Sequence, residues 1–248
     1  ERDPACQAFS SKAIISNRAA APVVLTRIQP LHLHWTTAEA PVRIRRIGGG
    51  LNEHHFPPAT FREETVRGDD AAMVWMENGY DGRSSNFHIP VMTVTCGESG
   101  VSGGLEWSGL WWMKGDGPHA GTCHLSCFIP ISNLTIEPDD SLRLPAAHYV
   151  FSRGGMDGAG NAFRRYVRER ILPPAPQLIS LPPVTYNHWF GIGPSIDEAT
   201  AMRQADRAAE LGASVFVLDA GWYGGCSATD FQAGVGNWDS VDRGKFPR

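Results

Sequence analysis

Apolar and polar positions alternate in short bursts over residues 20–153, and Gly, Asp, Asn and Pro cut the bursts apart. The runs AAMVWMEN (71–78), IPVMTVTCG (89–97), GLEWSGLWWMK (104–114), GTCHLSCFIPISNLTIEP (121–138) and AAHYVFSR (146–153) are rich in β-branched and aromatic residues. Such residues suit a pleated, half-buried surface. Between them lie NGYDGRSSN (78–86), GESGVSGG (97–104), GDGPHAG (115–121) and EPDDS (137–141), all turn chemistry. No clean 3.6-residue period runs through ten residues of this region. Many strands with frequent turns predict sheet packed on sheet, a large β-sandwich over residues 1–153.

The period then changes. AGNAFRRYVRERIL (159–172) sets Phe163, Tyr166, Val167 and Ile171 on one side and arginines on the other, which predicts an amphipathic helix. The GGMDGAG before it (154–160) lacks the spacing of a nucleotide loop and reads as linker. PPAPQLISLPP (173–183) ends the helix in a stiff, extended connector, so residues 154–183 read as a helical linker. Beyond it, VTYNHW (184–189) and SVFVLD (214–219) read as strands around a second helix. Ser195 and Glu198 form a capping-box pattern for that helix. Ile196, Ala199, Met202, Ala205, Ala209 and Leu211 supply its apolar side, and Gly212 stops it. Strand, helix, strand at this spacing is a βαβ unit with parallel strands.

Ligands of parallel α/β folds bind at the carboxyl ends of the strands, in a (β/α)8 barrel or a doubly wound sheet alike. Both strands here end in chemistry at that end. The first reaches His188 and Trp189; the second reaches Asp219 and, past a turn at Gly221, Trp222. An acid beside indoles suits a sugar, whose C–H face packs on the ring and whose hydroxyls donate to the carboxylate. A cap or turn role for Asp219, and rim packing for the tryptophans, are the plainer alternatives. The Gly-rich loop that follows carries Trp238 and Asp239. The candidate substrate-binding residues are therefore Trp189, Asp219, Trp222 and Trp238.

Composition narrows the classes. At 248 residues and 42% apolar, the chain holds one to two domains with ample core. A net charge of −4 with mixed signs leaves no basic face for nucleic acid. No apolar run approaches the roughly 20 residues needed to cross a bilayer. The amino terminus, ERDPACQAFS, has no Met and no signal segment, which predicts a truncated start and a cytoplasmic setting. Five Cys, an odd number, predict reduced thiols over a disulfide scaffold. Cys123 and Cys127 in CHLSC would share one side of a strand, with no second ligand pair to complete a zinc site. Trp107, Trp111 and Trp112 read as packing residues, and NLT at 133–135 is a glycosylation sequon by pattern alone.

YNHWF (186–190), FVLDAGWYG (216–224) and GVGNWDSVDRGKFPR (234–248) resemble the opening of the catalytic barrel of glycoside hydrolase family 36, the α-galactosidases. Upstream, GRSSNFHIP (82–90), LEWSGLWW (105–112) and the stretch 136–170 are similar to the family's β-supersandwich and helical linker. The fold class implied is a large β-supersandwich followed by the first strands and helix of a (β/α)8 TIM barrel, incomplete over residues 184–248. The activity implied is retaining hydrolysis of terminal α-galactosides. An α-N-acetylgalactosaminidase, a transglycosylase or a non-catalytic carbohydrate-binding sandwich are the alternatives. The family's Asp nucleophile, in a Lys-x-Asp motif, and its Asp acid/base match nothing before Arg248. The resemblance thus implies no catalytic residue in this chain, and the chain alone is expected to be an inactive front portion. Trp189 matches the family's galactose-subsite tryptophan, and Asp219 the first acid of its Asp-Asp-Gly-Trp motif. Ala220 stands for the second acid and His188 for the family's Ser. The chemistry requires neither cofactor nor metal. The partner implied is an α-linked galactoside oligosaccharide, with a homo-oligomer for the intact enzyme.

Overall fold

The computed structural model describes residues 2–3, 7–36, 41–48, 61–66, 73–77, 84–85, 87–117, 121–173 and 183–247. It forms two compact units, Glu1–Leu172 and Pro173–Arg248.

The strands of the first unit are β1 (Arg2–Asp3), β2 (Ala8–Ser11), β3 (Ile14–Ser16), β4 (Val23–Thr36), β5 (Val42–Gly48), β6 (Phe61–Val66) and β7 (Met73–Glu77). There follow β8 (His88–Cys96), β9 (Ser99–Leu105), β10 (Trp112–Asp116), β11 (Thr122–Ile136), β12 (Ser141–Arg143) and β13 (Ala147–Arg153). One antiparallel sheet runs β1-β2-β13-β9-β8-β5-β6 and a second runs β4-β11-β10-β7. Ile44, Met92 and Val94 of the first sheet and Met113 and Leu125 of the second are fully buried in one core. Alternation along each strand puts these side chains inward, so the unit is a β-sandwich. Cys96, Cys123 and Cys127 are buried within it as thiols, none of them in a disulfide. Trp111 is fully buried and its Nε1 donates to the Ser84 carbonyl at 2.6 Å. Trp107 departs from the packing expectation: it is 40% exposed.

GESGVSGG is a turn only at its start; from Ser99 it is β9, paired on both sides by β8 and β13. Its glycines serve close packing. A Cβ on Gly104 would stand 2.9 Å from the Phe163 ring. GLEWSGLWWMK, in turn, is broken between β9 and β10 and is not one strand. Asn133 of the sequon sits inside β11 with φ of 52°, where the register with β4 shifts.

The predicted linker helix is α1 (Gly155–Tyr166), continued by a π-helical turn, Val167–Ile171. It packs on the seven-stranded sheet, where Phe163 and Tyr166 join Ala8 and Val150 in a second buried cluster. GGMDGAG is therefore helix, not linker. Gly158 faces the end of β13 so closely that a Cβ would lie 2.3 Å from the Arg153 carbonyl oxygen. Buried His148 clasps the helix, with Nδ1 at 3.0 Å from the Tyr166 hydroxyl and Nε2 at 3.1 Å from Glu106. Most of the proline-rich connector, residues 174–182, lies outside the described residues.

In the second unit β14 (Thr185–Asn187) and β15 (Val215–Val217) pair in parallel. Between them come α2 (Trp189–Ile192) and α3 (Glu198–Glu210). The cap of α3 is Asp197, whose carboxylate accepts from the Thr200 N–H at 2.7 Å, and not Ser195. The inward side is only partly the expected one: Ile196 and Ala205 are covered as predicted, but Ala201, Gln204 and Ala208 join Ala205, while Ala199 and Ala209 are exposed and Met202 is 58% and Leu211 85% exposed. The covered stripe has helical spacing. A count of apolar residues passes over it because Gln204 is polar, and Gln204 turns inward because the Tyr186 hydroxyl donates to its Oε1 at 2.6 Å. Gly212, at φ of 88°, ends the helix as expected.

Candidate sugar-binding site

The register of the parallel pair sets Asn187 opposite Val217. Trp189 and Asp219, two residues further on in each chain segment, therefore leave the sheet at the same end. Asp219 is held from several sides. Its Oδ2 accepts from Asn187 Nδ2 at 2.7 Å and its Oδ1 from the Ala220 N–H at 2.8 Å. Its own N–H donates to His188 Nδ1 at 3.0 Å. The other nitrogen of that ring, Nε2, lies 3.1 Å from the Gly193 carbonyl. An acceptor at Nδ1 and a donor at Nε2 define one tautomer, and His188 is wholly buried. It braces the strand ends from beneath and does not enter the site.

Past Asp219 the chain turns at Gly221, with φ of 110°. A Cβ there would stand 2.7 Å from the Pro194 carbonyl oxygen, so no other residue fits. The turn delivers Trp222 and Tyr223. Trp222 meets the Tyr223 ring at 5.4 Å and the Trp238 ring at 6.3 Å. Tyr223 is buried and donates its hydroxyl to the Phe231 carbonyl at 3.2 Å. Burial pushes its phenol above the ordinary range, and the nearby Cys226 and Asp219 add to the shift. The returning loop pins the turn: Tyr223 pairs with Val241, and Lys245 Nζ donates to the Gly221 carbonyl at 2.9 Å.

These residues enclose an open pocket of about 440 Å³. Asp219, Ala220, Trp222, Tyr223, Phe231 and Trp238 are among its walls. Of the four predicted site residues, three thus line one cavity. Trp189 stands behind the wall as the first residue of α2, its ring edge-on to Phe231 at 4.8 Å. Asp239 is exposed and lines nothing there. A carboxylate acceptor among ring faces is a place for a ligand that is apolar on one side and hydroxylated on its rim. Among the described residues no group of three His, Cys, Asp or Glu could hold a metal, and no helix is long and apolar enough to cross a membrane.

The sequence reading missed Asn187, Ala220 as a wall, and Phe231. Asn187 left one trace, a polar residue at the inner end of an apolar strand, directly before His188 and Trp189. Phe231 is a lone aromatic in a Gly-rich loop, and nothing nearby marks it.

The Melibiase family model matches residues 141–248, the stretch that holds this pocket. An α-galactosidase of Escherichia coli is 30% identical over 175 residues, covering 67% of this chain and 24% of that protein. The chain is GH36 α-galactosidase-like. A longer match reaches back into the sandwich of this GH36-like chain: α-galactosidase Mel36A of Lactobacillus acidophilus, 26% identical over 91% of the chain and 32% of the relative. GH36 α-galactosidase AgaA from Geobacillus stearothermophilus overlays 97% of the chain on 33% of its own, with a TM-score of 0.74 at 21% identity. A variant of that enzyme in complex with raffinose overlays with a TM-score of 0.73 at 19% identity, covering the whole chain and 36% of the variant. These overlays give the GH36-like chain its fold, a β-sandwich followed by the start of a barrel. The chain spans about a quarter of the length of the first relatives it matches.

Proposed function

We propose that this chain contributes the sugar-binding end of a retaining α-galactosidase-type glycoside hydrolase that holds α-linked galactoside oligosaccharides by their terminal galactose. One observation carries the reading: the Asp219 carboxylate opens into a pocket walled by Trp222 and Trp238 at the carboxyl end of two parallel strands. The raffinose complex of the Geobacillus enzyme variant and the names of the relatives point to the same substrate class. In this reading the pyranose ring packs its C–H face on an indole, and its hydroxyls donate to Asp219. The two carboxyl groups that make and break the glycosyl bond in a retaining enzyme stand about 5–5.5 Å apart. Asp219 is a binding residue and takes neither of those roles.

The test uses the full open reading frame that carries this sequence and an aryl α-galactoside. The expected result is turnover, with Asp219→Asn lowering kcat/KM by roughly tenfold to a hundredfold, since a charged hydrogen-bond acceptor becomes half donor. A protein that folds and leaves α-galactosides untouched overturns the reading. So does full activity from the 248-residue chain by itself, since two parallel strands cannot close a barrel. A second reading, an α-N-acetylgalactosaminide substrate, is favoured by Ala220, whose methyl group lines the pocket beside Asp219. The aryl α-N-acetylgalactosaminide assayed in parallel separates the two by their kcat/KM ratio.

A further inference from the structure

We propose that Asn187 is the positioning residue of this site, and that its amide presents Asp219 to the ligand as an acceptor only. The inference rests on the sugar-binding reading above. Asn187 is half-buried at the end of β14, and both ends of its amide are engaged. Nδ2 donates to Asp219 Oδ2 at 2.7 Å, and Oδ1 accepts from the Trp189 N–H at 2.9 Å. The two bonds fix which way the amide points. Turned over, it would set its NH2 against an N–H and its oxygen against a carboxylate. One side chain therefore ties the carboxylate that follows β15 to the first turn of α2, across 32 residues of sequence.

The residue type follows from the demand. The site needs a donor towards Asp219 and an acceptor towards Trp189 on a stem of this length. Asp supplies two acceptors, Leu and Ala supply nothing, and Gln is one carbon too long. With Asn187 on Oδ2 and the Ala220 N–H on Oδ1, each carboxylate oxygen keeps lone-pair capacity for a ligand that donates. The expected ligand is accordingly a sugar with a free hydroxyl at that point, and an analogue whose hydroxyl there is methylated or removed is rejected.

Asn187→Asp is the variant that tests this, because it keeps shape and volume and preserves the acceptor for the Trp189 N–H. Two carboxyl groups at hydrogen-bond distance share one proton. At about pH 4.5 the introduced carboxyl is protonated and donates as the amide does; at about pH 7.5 the pair repels. In the full open reading frame, KM for an aryl α-galactoside should be near the wild-type value at the lower pH. It should rise at least roughly tenfold above wild type at the higher pH, with kcat changed far less. Asn187→Ala, the second variant, should show the raised KM at both pH values, with a thermal melt to establish folding. A variant-to-wild-type KM ratio that stays flat with pH, or an Asn187→Ala enzyme with unchanged KM, overturns the proposal. A wild-type enzyme inert towards α-galactosides overturns the underlying sugar reading instead, and that result is seen before any variant is measured.

Discussion

Gly221 sits where a strand must become a site. Its φ of 110° and the Pro194 carbonyl at 2.7 Å from an added Cβ leave room for hydrogen alone. Gly221→Ala therefore meets both a backbone penalty and a collision, about 1–3 kcal/mol together. The turn it disturbs carries Trp222, so galactoside affinity should fall with stability, measured by a thermal melt and by KM on the same sample. His124 makes a different residue-scale case. On the outer face of the second sheet it stands opposite His34, and its Nδ1 lies 2.8 Å from Asp116 Oδ1. Partial burial is the main cause that lowers its pKa below the ordinary 6.5; Asp116 opposes the shift, while His34, His32 and Lys114 favour it. The folded state thus binds that proton less readily than the unfolded chain. Stability is expected to be full above pH 6.5 and to decline as pH falls below it. Urea midpoints measured from about pH 7 down to about pH 5.5 should drop, and His124→Gln should flatten that slope.

Among the elements, β9 and α1 show how far local composition can mislead. A run of Gly and Ser looks like a loop because nothing in it favours a pleated surface, yet β9 is paired on both edges. Its small residues leave space that α1 fills with Phe163, so the reason for the glycines lies on another element. Gly104→Val tests this. The new side chain meets Phe163, the Pro90 carbonyl and Val91 at once, and overpacking of that kind costs about 1–3 kcal/mol. The melting temperature of the sandwich should fall by about 2–4 °C per kcal/mol. Gly104→Val with Phe163→Ala should recover part of the loss if helix contact is the cause. The βαβ unit was legible for the opposite reason. Its helix stop at Gly212 and the chemistry ending both strands are local signals, written within a few residues of each feature. Asn187 was not legible, because an amide's role appears only once β14 and β15 lie side by side.

At the scale of the whole molecule, the two units differ in how well each buries its own apolar surface. The sandwich closes: two sheets share a core in which Cys123, pushed up to about 12 by burial and by its neighbour Cys96, stays a thiol. Among its described residues the second unit has two parallel strands of three residues each, and Phe190, Met202, Leu211, Val215 and Leu218 remain exposed on it. Parallel strands are stable when both faces are covered, and a barrel of this type does so with eight. Divided at the boundary between units, the two parts should therefore behave differently. Residues 1–172 should unfold in one cooperative urea transition, with Cys96, Cys123 and Cys127 closed to a maleimide until the transition is passed. Residues 173–248 should bind a hydrophobic dye and melt without a sharp midpoint. A cooperative, dye-free second part would mean that the turn held by Gly221, His188 and Lys245 is a folding unit in its own right. The pocket beside Asp219 would then be preformed in this stretch by itself, and on the proposed sugar-binding reading galactose should bind to residues 173–248 alone.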